Sequence, residues 1–177
     1  MNSRFEFRNE IDEVGLRKID GVIEYLNNLN IGVQIWYHPP LPTIDLAMEY
    51  WSEMPGTHCK NLFFRNHKGN KHYLVIFECS KDLDIHTLEK KLQQGKLSFA
   101  SPQRMHKYLG VEPGSVTPFG LINDREHHVF LFIDSCLTKV DEISFHPNDN
   151  RASVVVKRED FFRFLDNRGN KYSLIEV

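Results

Sequence analysis

Apolar positions recur along this chain first at helical and then at alternating spacing, and each change of rhythm marks an element. Leu16, Ile19, Val22, Ile23, Leu26 and Leu29 recur at three- and four-residue steps, which predicts an amphipathic helix over residues 14–29. Asn30-Ile31-Gly32 ends it, and residues 33–37 predict a short strand. His38-Pro39-Pro40-Leu41-Pro42 is a stiff loop, with Thr43 as N-cap of a second helix carrying Leu46, Ala47, Tyr50 and Trp51. Residues 60–65 and 73–77 predict a hairpin around the polar turn Asn66-His67-Lys68-Gly69-Asn70. Helices follow over residues 84–92 and from Ser101-Pro102, where proline suits the first turn. Further strands are predicted over residues 129–133, 143–145, 153–156 and 172–175, with a last helix over 160–165.

Strands and helices alternate irregularly, and some strands are hairpin-linked. That order predicts an α+β fold: a single mixed, largely antiparallel sheet packed with helices, with residues 1–177 forming one domain. With 41% hydrophobic residues the chain can bury a sizeable core. Its formal charge of −2 excludes a global basic field that would draw it onto long nucleic acid, so any such contact must be local or assisted by a partner. Cys59, Cys79 and Cys136 form no C-x-x-C pair, and the expectation is reduced thiols in a cytoplasmic protein. No apolar run approaches the ~20 residues of a membrane span, and residues 1–6 lack a signal-peptide core, so no membrane association is expected.

The stretch Gly114-Ser115-Val116-Thr117-Pro118-Phe119-Gly120 carries the strongest local signal. A Gly-x-x-x-Pro loop can turn backbone amides inward with little side-chain obstruction, which suits an oxygen-rich ligand, although the same pattern also serves as an ordinary connector. Pro118 stiffens it. Among the histidines, His67 and His72 flank a turn, and His127-His128 opens a strand on which neighbours face opposite ways. No carboxylate or thiol completes a ligand set with them, so no metal and no cofactor are expected. Lys90, Lys91, Lys96, Arg104 and Lys107 give local basicity that suits an RNA stem or simply a solvated face.

Four segments in order, Pro55 through Phe63, Leu97-Ser98-Phe99-Ala100-Ser101-Pro102, Gly114 through Asp124, and Phe145-His146-Pro147-Asn148, carry a resemblance. From about Val14 onward the chain resembles the freestanding aminoacyl-tRNA deacylases related to the editing insertion domain of bacterial prolyl-tRNA synthetase, the YbaK-like or prolyl-tRNA synthetase-associated domains. The Gly-Ser-Val-Thr-Pro-Phe-Gly form of the loop is most similar to the branch that clears alanine from mischarged proline tRNA. The resemblance implies hydrolysis of an aminoacyl ester at the 3′ end of a mischarged tRNA, without a protein nucleophile or metal. It makes tRNA the partner, with prolyl-tRNA synthetase as a second candidate.

On that pattern Lys60, Gly114 and His146 are the catalytic candidates. Lys60 would lay its stem along the sheet and meet a terminal phosphate or ribose, where spacing alone reads as a solvated lysine at a strand end. Gly114 would help aim backbone N–H groups at the ester carbonyl. His146 would contact the ribose or position water, against a structural role for a lone histidine. Asn61, Ser115, Val116, Thr117, Pro118 and Asn148 are the substrate-binding candidates. The hydroxyls of Ser115 and Thr117 are equally suited to holding the loop, and Asn148 to a turn. His58 and Ser101 would lie nearby. Ile35, Leu46 and the loop are candidate walls of a pocket that admits alanine and excludes proline. Cys-tRNA(Pro), another mischarged tRNA, a small ester or amide, and a non-catalytic binding role remain alternatives.

Overall fold

Strand β3 (His72–Glu78) is buried at six consecutive positions, five of them apolar, which places it inside the sheet with helices on both faces. The structure, a computed structural model, describes residues 7–41 and 44–177. A 3₁₀ turn, Phe7–Glu10, precedes helix α1 (Glu13–Asn28) and strand β1 (Gln34–Tyr37). Helix α2 (Ile44–Trp51) and strand β2 (Thr57–Asn66) lead into β3. Then come α3 (Ile85–Leu92), β4 (Leu97–Phe99), α4 (Pro102–Leu109), a 3₁₀ helix at Pro118–Asn123 and β5 (Val129–Asp134). The chain continues through a 3₁₀ turn at Ser135–Thr138, β6 (Glu142–Phe145), β7 (Ala152–Lys157), α5 (Arg158–Arg168) and β8 (Tyr172–Ile175).

The eight strands form one sheet in the order β1-β7-β6-β2-β3-β5-β8, with β4 also paired to β2. The β1–β7, β2–β3, β2–β4 and β6–β7 pairings are antiparallel, and β2–β6, β3–β5 and β5–β8 are parallel. The fold is therefore the expected α+β mixed sheet, with a larger parallel share than the hairpins suggested. The parallel contacts join strands distant in sequence, which local pattern cannot register. The predicted helices and strands all occur; Thr43 lies outside the described residues.

One sheet face packs against α1, α4 and α5 through Val22, Leu26, Leu109, Phe161 and Phe164. Fully burying one such side chain stabilises by about 1.5–3 kcal/mol. The other face packs against α3 through Phe64, Val75, Phe77, Leu88 and Leu92. Helix α2 lies over the β7 side, where Ala47, Trp51 and Val155 meet. No helix among the described residues is long and apolar enough to cross a membrane.

Polar anchors fix the loops that matter below. Asp12 caps α1 by accepting the Gly15 N–H at 2.8 Å and also takes Arg151 Nη1 at 2.8 Å. Arg151 grips Asp149 through Nε and Nη2, at 2.8 and 2.7 Å. A Cβ at residue 15 would run into Arg151 Nη2, Ile11 Cγ2 and Asp149 Oδ2, so a side chain there would push the ion-paired anchor apart. Asp124 accepts three donors, His128 N–H, Val129 N–H and Asn170 Nδ2, and so closes the connection into β5.

Candidate functional site

Strand β2 pairs with β3 along its length on one side but changes partners on the other. Thr57 and His58 pair with β6, and Phe64–Asn66 pair with β4. Residues 59–63 between these ladders have no strand partner on that side among the described residues. Cys79 N–H donates to the His58 carbonyl and Asn66 N–H to the Lys71 carbonyl, so the even-numbered residues address β3. The backbone groups of Cys59, Asn61 and Phe63 consequently face the gap. Phe63 closes one end of it, accepting the Ala100 N–H at 2.8 Å.

A cavity of about 300 Å³ opens at this gap, and Lys60, Asn61, Gly114, Val116 and His146 all line it. Five separate segments of sequence thus meet at one place: β2, the β4–α4 segment through Phe99 and Met105, the loop before the 3₁₀ helix, the β6–β7 turn and, through Leu41, Ala47 and Trp51, the α2 region.

Side-chain alternation divides β2. Cys59 and Phe63 belong to the core under α1, whereas Leu62 and Phe64 belong to the core under α3. Lys60 lies on the second face: its Nζ is 5.9 Å from the centre of the cross-strand Phe77 ring and donates to the Lys81 carbonyl at 2.8 Å. Asp82 is 4.0 Å away and fully exposed, a contact that water weakens. Asn61 lies on the first face, and its buried Oδ1 has no hydrogen-bond partner among the described residues. Trp51 Nε1 is in the same condition. An acceptor and a donor on two cleft-lining residues are therefore both available to a polar ligand.

His146 donates its Nδ1–H to the Ala152 carbonyl at 2.9 Å, since a carbonyl can only accept. Burial pushes its pKa below the ordinary histidine value, with the Ala152 bond opposing in part. The ring is neutral at pH 7, with a lone pair on Nε2. The tight Arg151–Asp149–Asp12 anchorage holds the turn that carries it. Cys59 also lines the cleft, but burial raises its pKa well above the usual thiol value and keeps it protonated.

Residues 38–164 match the model of the aminoacyl-tRNA editing domain. The chain belongs to that family. It is 38% identical over 156 residues to the prolyl-tRNA editing protein ProX of Acetoanaerobium sticklandii, covering 88% of this chain and 95% of that one. It is 30% identical over 146 residues to prolyl-tRNA synthetase associated domain-containing protein 1 of Bos taurus, covering 80% and 85%. In fold it is similar to a solved structure described as a candidate trans-editing enzyme for prolyl tRNA synthetase, with a TM-score of 0.66 at 20% identity, over 94% of this chain and 99% of the other. The editing-domain resemblance drawn from the motifs stands, and with it hydrolysis of aminoacyl-tRNA as the class of activity.

Not every candidate residue reaches this editing domain's cleft. Of the Gly-x-x-x-Pro loop, Gly114 and Val116 line it. Ser115 is buried and gives its N–H to the Glu112 carbonyl at 3.0 Å, so that amide is already bonded. Thr117 is fully buried and caps the 3₁₀ helix, its Oγ1 accepting the Phe119 N–H at 3.3 Å. Pro118 is buried at the first turn of that helix. Asn148 adopts a left-handed φ of 62° and lines a separate groove of about 420 Å³ with Arg17, Lys18 and Asn123. His58 stacks flat on Trp51, with ring centres 4.5 Å apart, and borders a neighbouring hollow. Ser101 caps α4 without a side-chain bond. Ile35, on β1, packs against the core rather than the cleft, and the side chain of Leu46 lies outside the described residues. The walls present are Leu41, Ala47, Trp51, Phe63, Met105 and Val116. Trp51 and Met105 were foreseen only as apolar faces of helices, because periodicity tells which face is buried and not what it is buried against.

The histidines resolve differently from their sequence reading. Strand β5 begins at Val129, and His127 sits before it with a φ of 52°. His128 instead meets His72, Nε2 to Nδ1, at 2.9 Å. Arg104 Nη1 donates to His72 Nε2 at 2.7 Å, so His72 must in turn donate to His128. That guanidinium occupies the nitrogen a metal would need, and no group of three metal-ligating side chains occurs among the described residues.

Proposed function

We propose that this editing domain works in trans on tRNA(Pro) mischarged with alanine. Water adds to the ester carbonyl, the bond to the terminal ribose oxygen breaks, and free alanine and tRNA with an intact ribose hydroxyl leave. The meeting of Lys60, Asn61, Gly114 and His146 at one opening in the β2 edge carries this reading.

Each group has a task that its chemistry suits. The Lys60 ammonium, parked on a neutral carbonyl, is available to a backbone phosphate of the acceptor end. The unpaired Asn61 Oδ1 accepts from the substrate's ammonium or a ribose hydroxyl. The backbone beside Gly114, with the cleft-facing amides of β2, provides dipoles where oxyanion charge develops. His146 Nε2 orients the attacking water or the neighbouring ribose hydroxyl and takes up its proton. Cys59, held as a thiol, has no part as a nucleophile.

The cleft is walled by the apolar side chains of Leu41, Trp51, Met105 and Val116, whose fit around the acyl group would set the selection. A synthetase pocket shaped for proline rejects alanine weakly, because a missing methylene or two changes binding by only about 1–3 kcal/mol. A second, narrower pocket reverses the comparison: alanine enters and proline collides with the walls. The names of the curated relatives support the prolyl system. The chain's charge of −2 gives it little long-range pull on tRNA, which favours delivery by prolyl-tRNA synthetase.

The deciding experiment is a single-turnover deacylation panel with alanyl, cysteinyl and prolyl esters of the same tRNA(Pro), with Lys60→Ala as control. Fast release of alanine alone supports the proposal. Preferential release of cysteine would move the specificity, and no release of any amino acid would leave a binding domain.

A further inference from the structure

Phe99 is 56% exposed although it lines the cleft and sits beside a packed core. The ring lies on β4, opposite Phe64 in the β2–β4 ladder. Phe64 is fully buried and stacks against it with ring centres 4.8 Å apart and an interplanar angle of 25°. One face of Phe99 is thus backed and held, and the rest of the ring is open to solvent. Leaving that much aromatic surface in water forgoes burial that the adjoining core would otherwise supply.

Its position relates it to Lys60. Alternation along β2 puts Lys60, Leu62 and Phe64 on one face, and the stack puts Phe99 on that same face. Phe99 pairs with residue 64, four positions from Lys60, or about 13 Å along an extended strand. One nucleotide together with the long, flexible Lys60 stem, released from the Lys81 carbonyl, covers such a span, with the phosphate at the cation and the base at the ring. Unpaired bases are bound in this way, by stacking on an aromatic side chain, whereas paired ones are not free to do so.

Resting on the proposed action at a tRNA 3′ end, the geometry points to Phe99 as the platform for the terminal adenine, a nucleobase subsite distinct from the pocket that takes the acyl group. Phe64 keeps the ring oriented from behind. The base enters the open face while Lys60 holds the phosphate and the ester reaches through the β2 gap to Asn61 and His146.

The test uses a CCA oligonucleotide carrying 3′-alanine through a non-hydrolysable amide, and a matched oligonucleotide whose last residue lacks its base. Phe99→Ala should weaken binding of the first by roughly 5- to 150-fold, the range found when stacking partners are truncated. It should leave the second unchanged, because the stack is already missing there. Phe99→Trp should restore binding, and Phe99→Leu, which preserves apolar bulk over Phe64, should not. Equal losses on both oligonucleotides, or none on either, would overturn the assignment; the latter would leave the ring to a protein contact. Because no turnover is needed, the result is independent of the deacylation panel: failure there removes the proposed reaction, and failure here removes only the platform.

Discussion

Lys60 Nζ donates to the Lys81 carbonyl at 2.8 Å, and Lys81 is itself tied down by its own ammonium, 2.6 Å from the buried Asp134 carboxylate. The β3–α3 connection therefore presets the position of the cleft cation. An ammonium held by one carbonyl and a screened carboxylate can exchange these for a phosphate at small cost.

Lys60→Ala should raise KM for mischarged tRNA by about 10- to 100-fold, the range of one lost charge-assisted hydrogen bond. It should also flatten the dependence of KM on salt by about one phosphate contact. Steady-state kinetics between low and moderate ionic strength measure both. An unchanged salt slope would remove the phosphate contact from the account.

His146 predicts the pH profile. In the proposed reaction its neutral form acts, and burial lowers its pKa from the ordinary value near 6.5. The acid limb of deacylation should lie below the pH at which an ordinary histidine takes up its proton. His146→Ala should lower kcat by about 100-fold or more and abolish that acid limb. Rates must be corrected for spontaneous ester hydrolysis, which rises with pH.

Gly114 has a φ of 84°, and a Cβ there would lie 3.4 Å from Asn150 Nδ2. Space is adequate but the backbone is not suited to an L side chain, at a cost of about 1–2 kcal/mol. Gly114→Ala should lower Tm by a few degrees, as scanning calorimetry would show. Because the residue lines the cleft, kcat should fall out of proportion to that loss.

Acid should weaken the fold before the carboxylates titrate. His38 and His72 are almost fully buried, and burial first of all lowers each to about 4. His38 also gives its Nδ1–H to the Pro39 carbonyl and accepts from Ser153 Oγ through Nε2. Between pH 6.5 and 4 the unfolded chain binds protons that the folded rings refuse, so stability falls as pH falls. Each ring contributes up to about 3 kcal/mol to that loss. Urea unfolding at pH 7, 5.5 and 4 should show a falling midpoint, and His72→Gln should reduce the slope.

Much of the fold is written in short-range pattern. The spacing from Leu16 to Leu29 and the alternation at the end of the chain predicted α1 and β8 closely. Strand β4 is three residues long, too short for any rhythm, and exists because Phe64–Asn66 offers an edge to pair with. The 3₁₀ helix at Pro118–Asn123 was hidden because its apolar run fits several backbones. The site was legible where chemistry and motif coincide, at Lys60, Asn61, Gly114 and His146. Ser115, Thr117 and Asn148 share those motifs but turn into the protein or another groove, since motif membership does not fix the direction of a side chain. Phe99 lies in a segment that carries the resemblance, but nothing in the sequence marks its ring as exposed, because exposure depends on neighbours distant along the chain.

The opening in the β2 edge separates what must persist from what can drift. Ladder bonds hold Lys60 and Asn61 in register, and in the proposed reaction they would address parts of the nucleotide common to every charged tRNA. Ala47, Trp51 and Met105 stand on helices that no ladder ties to that strand. A lineage could swap those three for bulkier or slimmer neighbours and acquire a different acyl guest, while the strand that greets the nucleotide stayed as it is.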